Sequence, residues 1–161
     1  MSARNEEIMR IGYIGIGEAP KIKEIEPDEQ GSYLHAMQKL VGGHIEFFEC
    51  LYGTHPALIV NDEGLYTSEP NRAVYANARM EAEGFLDAMT YSHPVVEGEL
   101  YTILYGPILA VPIDWDEEGN EVHRDITDAE FATLERDFSD PDSGISAMFE
   151  VLFSRFTRQS A

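Results

Sequence analysis

The chain of 161 residues has a single cysteine, Cys50, and only 11 lysines and arginines against 30 aspartates and glutamates. One cysteine cannot form a disulfide within the chain, which fits a reducing compartment and predicts a cytoplasmic protein. The formal net charge of −19 disfavours direct binding to nucleic acid and to anionic membranes, because both need a cationic protein surface.

Long apolar runs are also absent. No stretch reaches the roughly 18 consecutive apolar residues that indicate a membrane-spanning helix. Glu6 and Glu7 stand where a secretion signal would be basic, so we expect none. Cys50 lies in the apolar run FFECLY, where a buried thiol is more usual than an activated nucleophile.

The acidic residues are concentrated in one part of the chain. Residues 91–150 carry 15 of them against two arginines, whereas residues 151–161 carry two arginines and no acid. We expect an acidic surface formed by Asp114, Asp116, Glu117, Glu118, Glu121, Asp125 and Asp128. Such a surface would keep the protein soluble, bind another protein, or imitate duplex DNA, which carries about one charge per 1.7 Å of its axis.

The spacing of apolar and turn-forming residues predicts strands and helices in mixed order. Strands are expected at 8–16, 44–51, 57–60, 100–113 and 121–124. The charged, proline-containing stretch 18–31 is interpreted as a loop. The sequence Asn-Asp-Glu-Gly at 61–64 predicts a hairpin turn with Gly64 at positive φ, and therefore antiparallel strands.

Helices are indicated by apolar residues at three- and four-residue steps and by capping signals. The first follows Ser32 and ends at Gly42, and a second is expected at 73–82. A third begins at Thr127, which forms a capping box with Glu130, and the last covers about 143–158. These elements predict one α+β domain over 1–161, with a small antiparallel sheet of about five strands and three to four packing helices.

The last helix carries a stripe of large apolar side chains. Its members are Ile145, Met148, Phe149, Leu152, Phe153 and Phe156. A stripe of this kind is more often part of the core than of an interface, so we expect it to be buried. The alternative is a homodimer that pairs through Phe149, Leu152, Phe153 and Phe156.

Two short segments resemble ligand-binding motifs but do not match them. Residues 114–119 resemble the start of an EF-hand loop but follow a strand instead of a helix, so a solvated hairpin turn explains them better. Residues 12–17 have the spacing G-x-x-G-x-G and precede no helix, which argues against a phosphate-binding loop. We expect neither a metal nor a cofactor.

Four side chains could form a small-ligand or catalytic site if the fold brings them together: His35, His44, Glu46 and Arg72. They lack any known metal-ligand spacing, and ordinary exposed positions explain them more simply. A functional set would have to converge in a concave pocket.

Six short motifs, taken in order, resemble the DUF3846 family, a bacterial and phage domain of unknown function. They are LVGG at 40–43, IE at 45–46, NDEG at 61–64, PNRA at 70–73, YGPIL at 105–109 and DITDAE at 125–130. The resemblance covers about residues 32–135. Because members of this family occur on plasmids, phages and other mobile elements, it implies an accessory role in bacterial cytoplasm.

If the family shares a site, the resemblance places it at Gly42, Gly43, Asn61, Glu63, Gly64, Asn71 and Arg72. Most of these positions also have a structural interpretation, with Gly42 ending a helix and Asn71 capping the next one. Arg72 is expected to pair with Glu63 or Glu69, or to accept an anionic partner.

Three functional hypotheses follow from these features. The leading one is a non-catalytic accessory protein of a mobile element that binds an unidentified protein through its acidic surface. A narrower form is a DNA mimic that inhibits a restriction enzyme or another DNA-binding enzyme. The third is a small-ligand-binding domain or enzyme that uses the four side chains named above.

Overall fold

The computed structural model describes residues 8–48 and 56–160, with side chains through residue 154. Its strands are β1 Met9–Ile14, β2 Lys21–Ile25, β3 Ile45–Phe48, β4 Ala57–Asn61, β5 Pro70–Tyr75, β6 Leu100–Tyr105, β7 Ile108–Val111, β8 Ile113–Trp115 and β9 Glu121–His123. Its helices are α1 Leu34–Val41, α2 Gly64–Thr67, α3 Ala78–Ala82, α4 Asp128–Asp137 and α5 Ser143–Ser160.

A five-stranded sheet organises the fold, in the order β2-β1-β7-β4-β3. Every neighbouring pair in it is antiparallel. Two further antiparallel pairs, β5–β6 and β8–β9, form separate two-stranded sheets. The prediction of an α+β fold around a five-stranded antiparallel sheet is confirmed.

The five-stranded sheet is buried on both faces. On one face Ile59, Leu109 and Val111 pack against Met37 and Val41 of α1. The other face packs against the β5–β6 pair, α3 and α4, through a cluster of Ile14, Leu58, Ile108, Val74, Leu104, Met80, Leu134 and Phe138. Because both faces are covered, β4 and β7 are continuous apolar runs without polar alternation.

The outer face of the β5–β6 pair is covered by α5. Ala73 and Ile103 of this pair pack against Ala147, with Met148 beside them. The layers therefore run from α1 through the five-stranded sheet to β5–β6 with α3 and α4, and finally to α5.

The expected loop at 18–31 contains a strand. Lys21–Ile25 pairs antiparallel with β1 and forms one edge of the five-stranded sheet. Pro20 and Pro27 lie just outside it, and the Lys23 ammonium stands 4.3 Å from the centre of the Tyr13 ring. Lysines are typical of edge strands because they discourage pairing with another chain. In β2 these charged residues made the segment resemble a loop in the sequence.

The helix expected at 73–82 is wrong over its first half. Residues 70–75 form β5, in which Ala73 pairs with Ile103 of β6, and helix appears only at Ala78–Ala82. The prediction followed the local helix propensity of the alanine-containing segment. Pairing with β6 and burial on both faces outweigh that weak preference.

The turn at 61–64 does not make a hairpin. The strand Ala57–Asn61 that precedes this turn is followed by α2 instead of a second strand, although β4 is antiparallel to β3. Cys50 and the end of the strand expected at 44–51 lie outside the described residues. Gly64 opens α2 and is not among the glycines with positive φ. Its lack of a side chain serves close packing, because a Cβ there would lie 2.9 Å from the Tyr105 carbonyl oxygen.

The expected strand at 100–113 is divided among three sheets. Gly106, at φ 76°, lets the chain leave β6 and enter β7 in the five-stranded sheet. A second break at Pro112 separates β7 from β8. Positive φ of this size is readily adopted only by glycine, so one residue decides that the run changes sheets.

Several local signals are confirmed. Gly42 ends α1 in the left-handed conformation. Ser32 Oγ accepts a hydrogen bond from the Leu34 amide at 3.2 Å, but the N-cap residue of α1 is Tyr33, without a side-chain capping bond. Thr127 and Glu130 form the complete capping box at the start of α4. Gly119, at φ 83°, closes the turn between β8 and β9.

The expectation that the apolar stripe of α5 is buried is wrong. Ile145, Phe149, Leu152 and Phe153 are 38%, 62%, 42% and 75% exposed. The buried face of the helix carries the small residues Gly144 and Ala147 instead. The Phe156 side chain lies outside the described residues. Sequence periodicity identified the stripe, but it could not tell which side of the helix meets the sheet.

We expect Gly144→Ala to destabilise the protein. A Cβ at this position would lie 2.7 Å from the Asn71 carbonyl carbon and 2.9 Å from the Arg72 amide nitrogen. At an open helical position the same change stabilises by about 1 kcal/mol, whereas here overpacking should lower the free energy of unfolding by about 1–3 kcal/mol. Urea denaturation measures this, with exposed Ser146→Ala on the same helix as the control. A stabilised Gly144→Ala variant would contradict the tight packing.

Candidate functional site

Arg72 is the most completely enclosed charged residue of the described chain, with 0% exposure. Its Nε donates to the Phe138 carbonyl at 3.0 Å, and its Nη1 donates to Asn71 Oδ1 at 2.8 Å and to the Pro141 carbonyl at 3.3 Å. Nη2 donates to the Glu18 carbonyl. The guanidinium therefore ties together the ends of segments that are far apart in the sequence.

Asn71 extends this network to the five-stranded sheet. Its amide donates to the carbonyl oxygens of Ile14 at 3.0 Å and Gly106 at 2.8 Å. The neighbouring Ala73 amide donates to Ser143 Oγ at 3.0 Å, which fixes the start of α5. Asn71 lies in β5 and does not cap a helix, so the expected capping role is wrong.

The hydrogen bonds of the Arg72 guanidinium are all directed into the protein. Burial lowers the pKa of Arg72, while the nearby carboxylates of Asp140 and Asp142 act in the opposite direction. Among the described residues it forms no ion pair with Glu63 or Glu69, contrary to expectation. Its hydrogen bonds go to backbone carbonyls and Asn71, which indicates a structural role.

We expect Arg72→Met to be strongly destabilising, because it leaves the carbonyls of Phe138, Pro141 and Glu18 without this donor in a buried site. The free energy of unfolding should fall by about 3 kcal/mol or more. Arg72→Lys should also destabilise, since an ammonium lacks the planar fork of donors. Chemical denaturation gives the values.

Arg136→Met is the matched control for this change, because the Arg136 side chain is 75% exposed. It should alter stability by no more than about 0.5 kcal/mol. Equal losses from the two arginine-to-methionine changes would show that the buried network contributes nothing particular.

A second network accounts for the other positions implied by the family resemblance. Asn61 donates to the Val41 carbonyl at the end of α1, at 3.1 Å, and accepts the Glu63 amide at 2.8 Å. Gly43 is packed against it, since a Cβ there would lie 2.8 Å from Asn61 Nδ2. Gly42, Gly43, Asn61 and Glu63 thus join α1 to the end of β4, and Gly64 packs against β6.

The four side chains proposed for a small-ligand site do not converge. Arg72 is buried under the start of α5, and His35 is exposed on α1. Glu46 lies on the face of β3 that is turned away from α1, and His44 is exposed just before that strand. Arg72 on β5 and His35 on α1 lie on elements other than β3, so the fold does not bring the four side chains together.

Glu46 lines a cleft of about 380 Å³ between the β3 edge of the five-stranded sheet and β6. Its walls include Phe48, Asn61, Leu65, Tyr66 and Met89. Tyr66 is 84% exposed and Leu65 is 61% exposed, so the cleft is open to solvent. The Asn61 side-chain amide donates to the Val41 carbonyl. The carboxylates that line this cleft are those of Glu46 and Asp62.

The predicted acidic surface is centred on the β8–β9 hairpin. Asp116 Oδ1 accepts the amides of Glu118 at 2.9 Å and Asn120 at 2.8 Å, which shapes the turn. Trp115, at the end of β8, is 66% exposed. Glu117, Glu118 and Glu121 are exposed and form no ion pair within the described part of the chain. The hairpin therefore presents an aromatic side chain among uncompensated carboxylates.

The other acids of the predicted set are tied to the body of the protein. Arg124 Nε donates to Asp114 at 2.7 Å, and its two Nη atoms donate to Glu130 at 2.8 and 2.9 Å. The Arg10 amide donates to Asp125 Oδ1 at 2.9 Å. Arg124 holds the pKa of Glu130 below its ordinary value. The base of the hairpin is thus anchored, and Asp128 lies in the first turn of α4.

A groove of about 420 Å³ separates this hairpin from α1. It is lined by Leu34, Met37, Phe47, Val122 and Glu121. Leu34 and Val122 are 41% and 38% exposed. The acidic hairpin therefore stands beside an accessible apolar depression.

A polar cluster in the loop before β6 was not predicted as a site. Asp87 is buried and accepts the amides of Thr90 and Ser92 at 2.8 Å, as well as Thr90 Oγ1 at 2.6 Å. Ser92 Oγ lies 3.0 Å from His93 Nδ1, and His93 Nε2 contacts Glu99. The sequence signal for it is the spacing D-x-x-T-x-S-H at 87–93.

These contacts shift the pKa values of the charged groups in this loop. The hydrogen bond to Glu99, with the charges of Glu99 and Asp87, raises the pKa of His93 above its ordinary value of 6.5. Hydrogen bonds from Thr90, Ser92 and His93 hold the pKa of Asp87 far below its ordinary range. Both carboxylates therefore remain charged while the imidazole titrates.

We expect His93 to stabilise the fold most at acidic pH. Because its folded pKa is raised, the stabilisation is fully present below 6.5 and is lost as pH rises through the folded pKa. Thermal unfolding between about pH 5.5 and about pH 8.5 should show this dependence, and His93→Gln should reduce it. NMR titration should place the His93 pKa above 6.5.

The control is His35→Gln, which changes an exposed histidine on α1 and should preserve the pH dependence. A His93 resonance that titrates at or below the ordinary value of 6.5 would show that Glu99 and Asp87 do not stabilise its charged form.

Within 8–48 and 56–160, no three His, Cys, Asp or Glu side chains are grouped so that they could hold a metal ion. None of the helices described in these ranges is long and apolar enough to cross a membrane.

The fold defines an α+β protein in which Asn61 and Asn71 each connect separate elements through hydrogen bonds. The model of the family described as Domain of unknown function (DUF3846) matches residues 9–139. The chain belongs to this family, and the match begins at β1, earlier than the motifs at 32–135 indicated. No curated protein and no solved structure matches the chain.

Proposed function

We propose that the protein is a non-catalytic accessory protein that acts by binding a basic protein through the β8–β9 hairpin. The observation that carries the proposal is the exposure of Trp115 beside Glu117, Glu118 and Glu121. A mobile genetic element is the proposed setting, supported by the family resemblance.

The chemistry of the hairpin favours a protein partner with a cationic surface. Tryptophan is enriched among the residues that dominate binding energy, because its large ring gains much when it is desolvated. Clustered carboxylates accelerate the encounter with a basic surface and disfavour acidic competitors. The two features supply an apolar anchor and electrostatic selection at one place.

The structure beside the hairpin supports the same assignment. Asp116 shapes the turn and Arg124 anchors its base, so little ordering should be needed when a partner binds. The neighbouring groove offers Leu34, Phe47 and Val122 to an apolar side chain of the partner. Protein interfaces commonly have an apolar centre and a polar rim.

DNA mimicry is the narrower form of this proposal. It requires that the partner use the same basic surface for the hairpin and for duplex DNA. Such binding would weaken steeply with salt and would be competed by duplex DNA. A partner that binds both at once would exclude mimicry and leave protein binding intact.

We expect the double reversal Glu117→Lys with Glu118→Lys, and separately Trp115→Ala, to weaken partner binding by at least about tenfold each. Partners would be captured from bacterial lysate on the immobilised protein, purified, and titrated by calorimetry at two salt concentrations. The reversal should act most at low salt, whereas the tryptophan change should depend little on salt.

Glu24→Lys with Glu26→Lys is the matched control, because both residues are exposed and the change in net charge is identical. If the control weakens binding as much as the hairpin reversal, net charge and not the hairpin is responsible. If purified partners bind all variants equally, the proposed surface is wrong.

A further inference from the structure

Helix α5 has its small residues inside and its large apolar residues outside. Gly144 and Ala147 meet the β5–β6 pair, and the closeness of Gly144 to the Asn71 backbone fixes the helix in this orientation. Ile145, Phe149 and Leu152 face solvent at 38%, 62% and 42% exposure. A rotation that buried these side chains would push them into the β5 backbone.

The exposed residues have the spacing of a helix-pairing seam. Steps of four and three residues separate Ile145, Phe149 and Leu152, and Phe156 continues the series in the sequence. This four-three repeat is the pattern by which two helices interlock side chains along a shared seam. The helix has 18 residues, which gives it a length of about 27 Å.

The charges along the helix are arranged for pairing with a second copy. Asp140 and Asp142 precede its first turn, whereas Arg155 and Arg158 lie near its end and no acid follows Glu150. Two copies in antiparallel orientation bring the acidic end of each helix to the basic end of the other. A parallel pair would bring like charges together, in a protein that already carries a net charge of −19.

We propose that α5 is the interface of a homodimer in which two copies of the helix pack antiparallel about a two-fold axis. The partner is a second copy of this chain, because α5 and the residues just before it supply the apolar seam and both complementary charges. Such an interface is self-complementary, as two-fold symmetry requires. The proposal is independent of the role assigned to the β8–β9 hairpin.

The first test changes the seam. The full chain should be dimeric in sedimentation velocity experiments, and Phe149→Asp should weaken dimerisation by at least about a hundredfold, since each dimer contains the change twice. Tyr66→Asp is the control, because Tyr66 is even more exposed, at 84%. Far-UV circular dichroism would check that both variants remain folded.

The second test distinguishes the orientation of the helices. Arg155→Gln with Arg158→Gln should weaken an antiparallel dimer by about three- to tenfold at low salt, and the effect should fade at high salt. In a parallel dimer the same change removes repulsion and would strengthen association. Lys21→Gln with Lys23→Gln makes the same change in net charge away from α5 and should have little effect.

A wild-type protein that remains monomeric at about 100 μM would overturn the proposal, because a seam of this kind should associate below that concentration. Dimers that survive Phe149→Asp would show that another surface pairs the subunits. Stronger association after the arginine changes would refute the antiparallel arrangement.

Discussion

The burial of the Arg72 guanidinium is the constraint on which the arrangement of the layers depends. A buried cation is tolerated only when its donors are satisfied, and here the acceptors are the carbonyls of Glu18, Phe138 and Pro141 with Asn71 Oδ1. The Glu18 carbonyl follows β1, the Phe138 carbonyl lies at the end of α4, and the Pro141 carbonyl precedes α5. Each of these segments must reach its position before the charge can be enclosed, so the network couples them.

This coupling determines which side chains of α5 are exposed to solvent. Ser143 binds the backbone of β5, and Gly144 lies against it, so the first turn of α5 is held directly over the buried network. Only small residues fit between helix and strand at this distance. The large apolar residues of the helix are consequently placed outside, where they form the surface that we assign to dimerisation.

The fold divides the acidic residues at 114–130 into two groups, those in internal contacts and those exposed to solvent. Asp114 and Glu130 neutralise Arg124, and Asp125 accepts a backbone amide of β1. Glu117, Glu118 and Glu121 are left around Trp115 at the far end of the hairpin. Some carboxylates of the segment 114–128 thus have a structural role, whereas others are exposed and available to a partner.

Local signals in the sequence determined those elements whose chemistry is complete within a few residues. The αL glycine after α1, the capping box of α4 and the glycine turn between β8 and β9 could all be predicted, because each depends on neighbours in the chain. The apolar runs at 57–60 and 100–113 likewise indicated strands, and thereby the antiparallel sheet of an α+β fold.

Tertiary structure alone decided the identity of β5, the division of 100–113 among three sheets and the roles of Asn71, Arg72 and the α5 stripe. Each of these depends on partners distant in sequence, such as β6 for Ala73 and the Phe138 carbonyl for Arg72. Local propensity differs by less than about 1 kcal/mol between most residues, whereas burial and a satisfied buried charge involve several. The sequence determined where apolar and charged groups occur, and the packing decided which of them remained exposed.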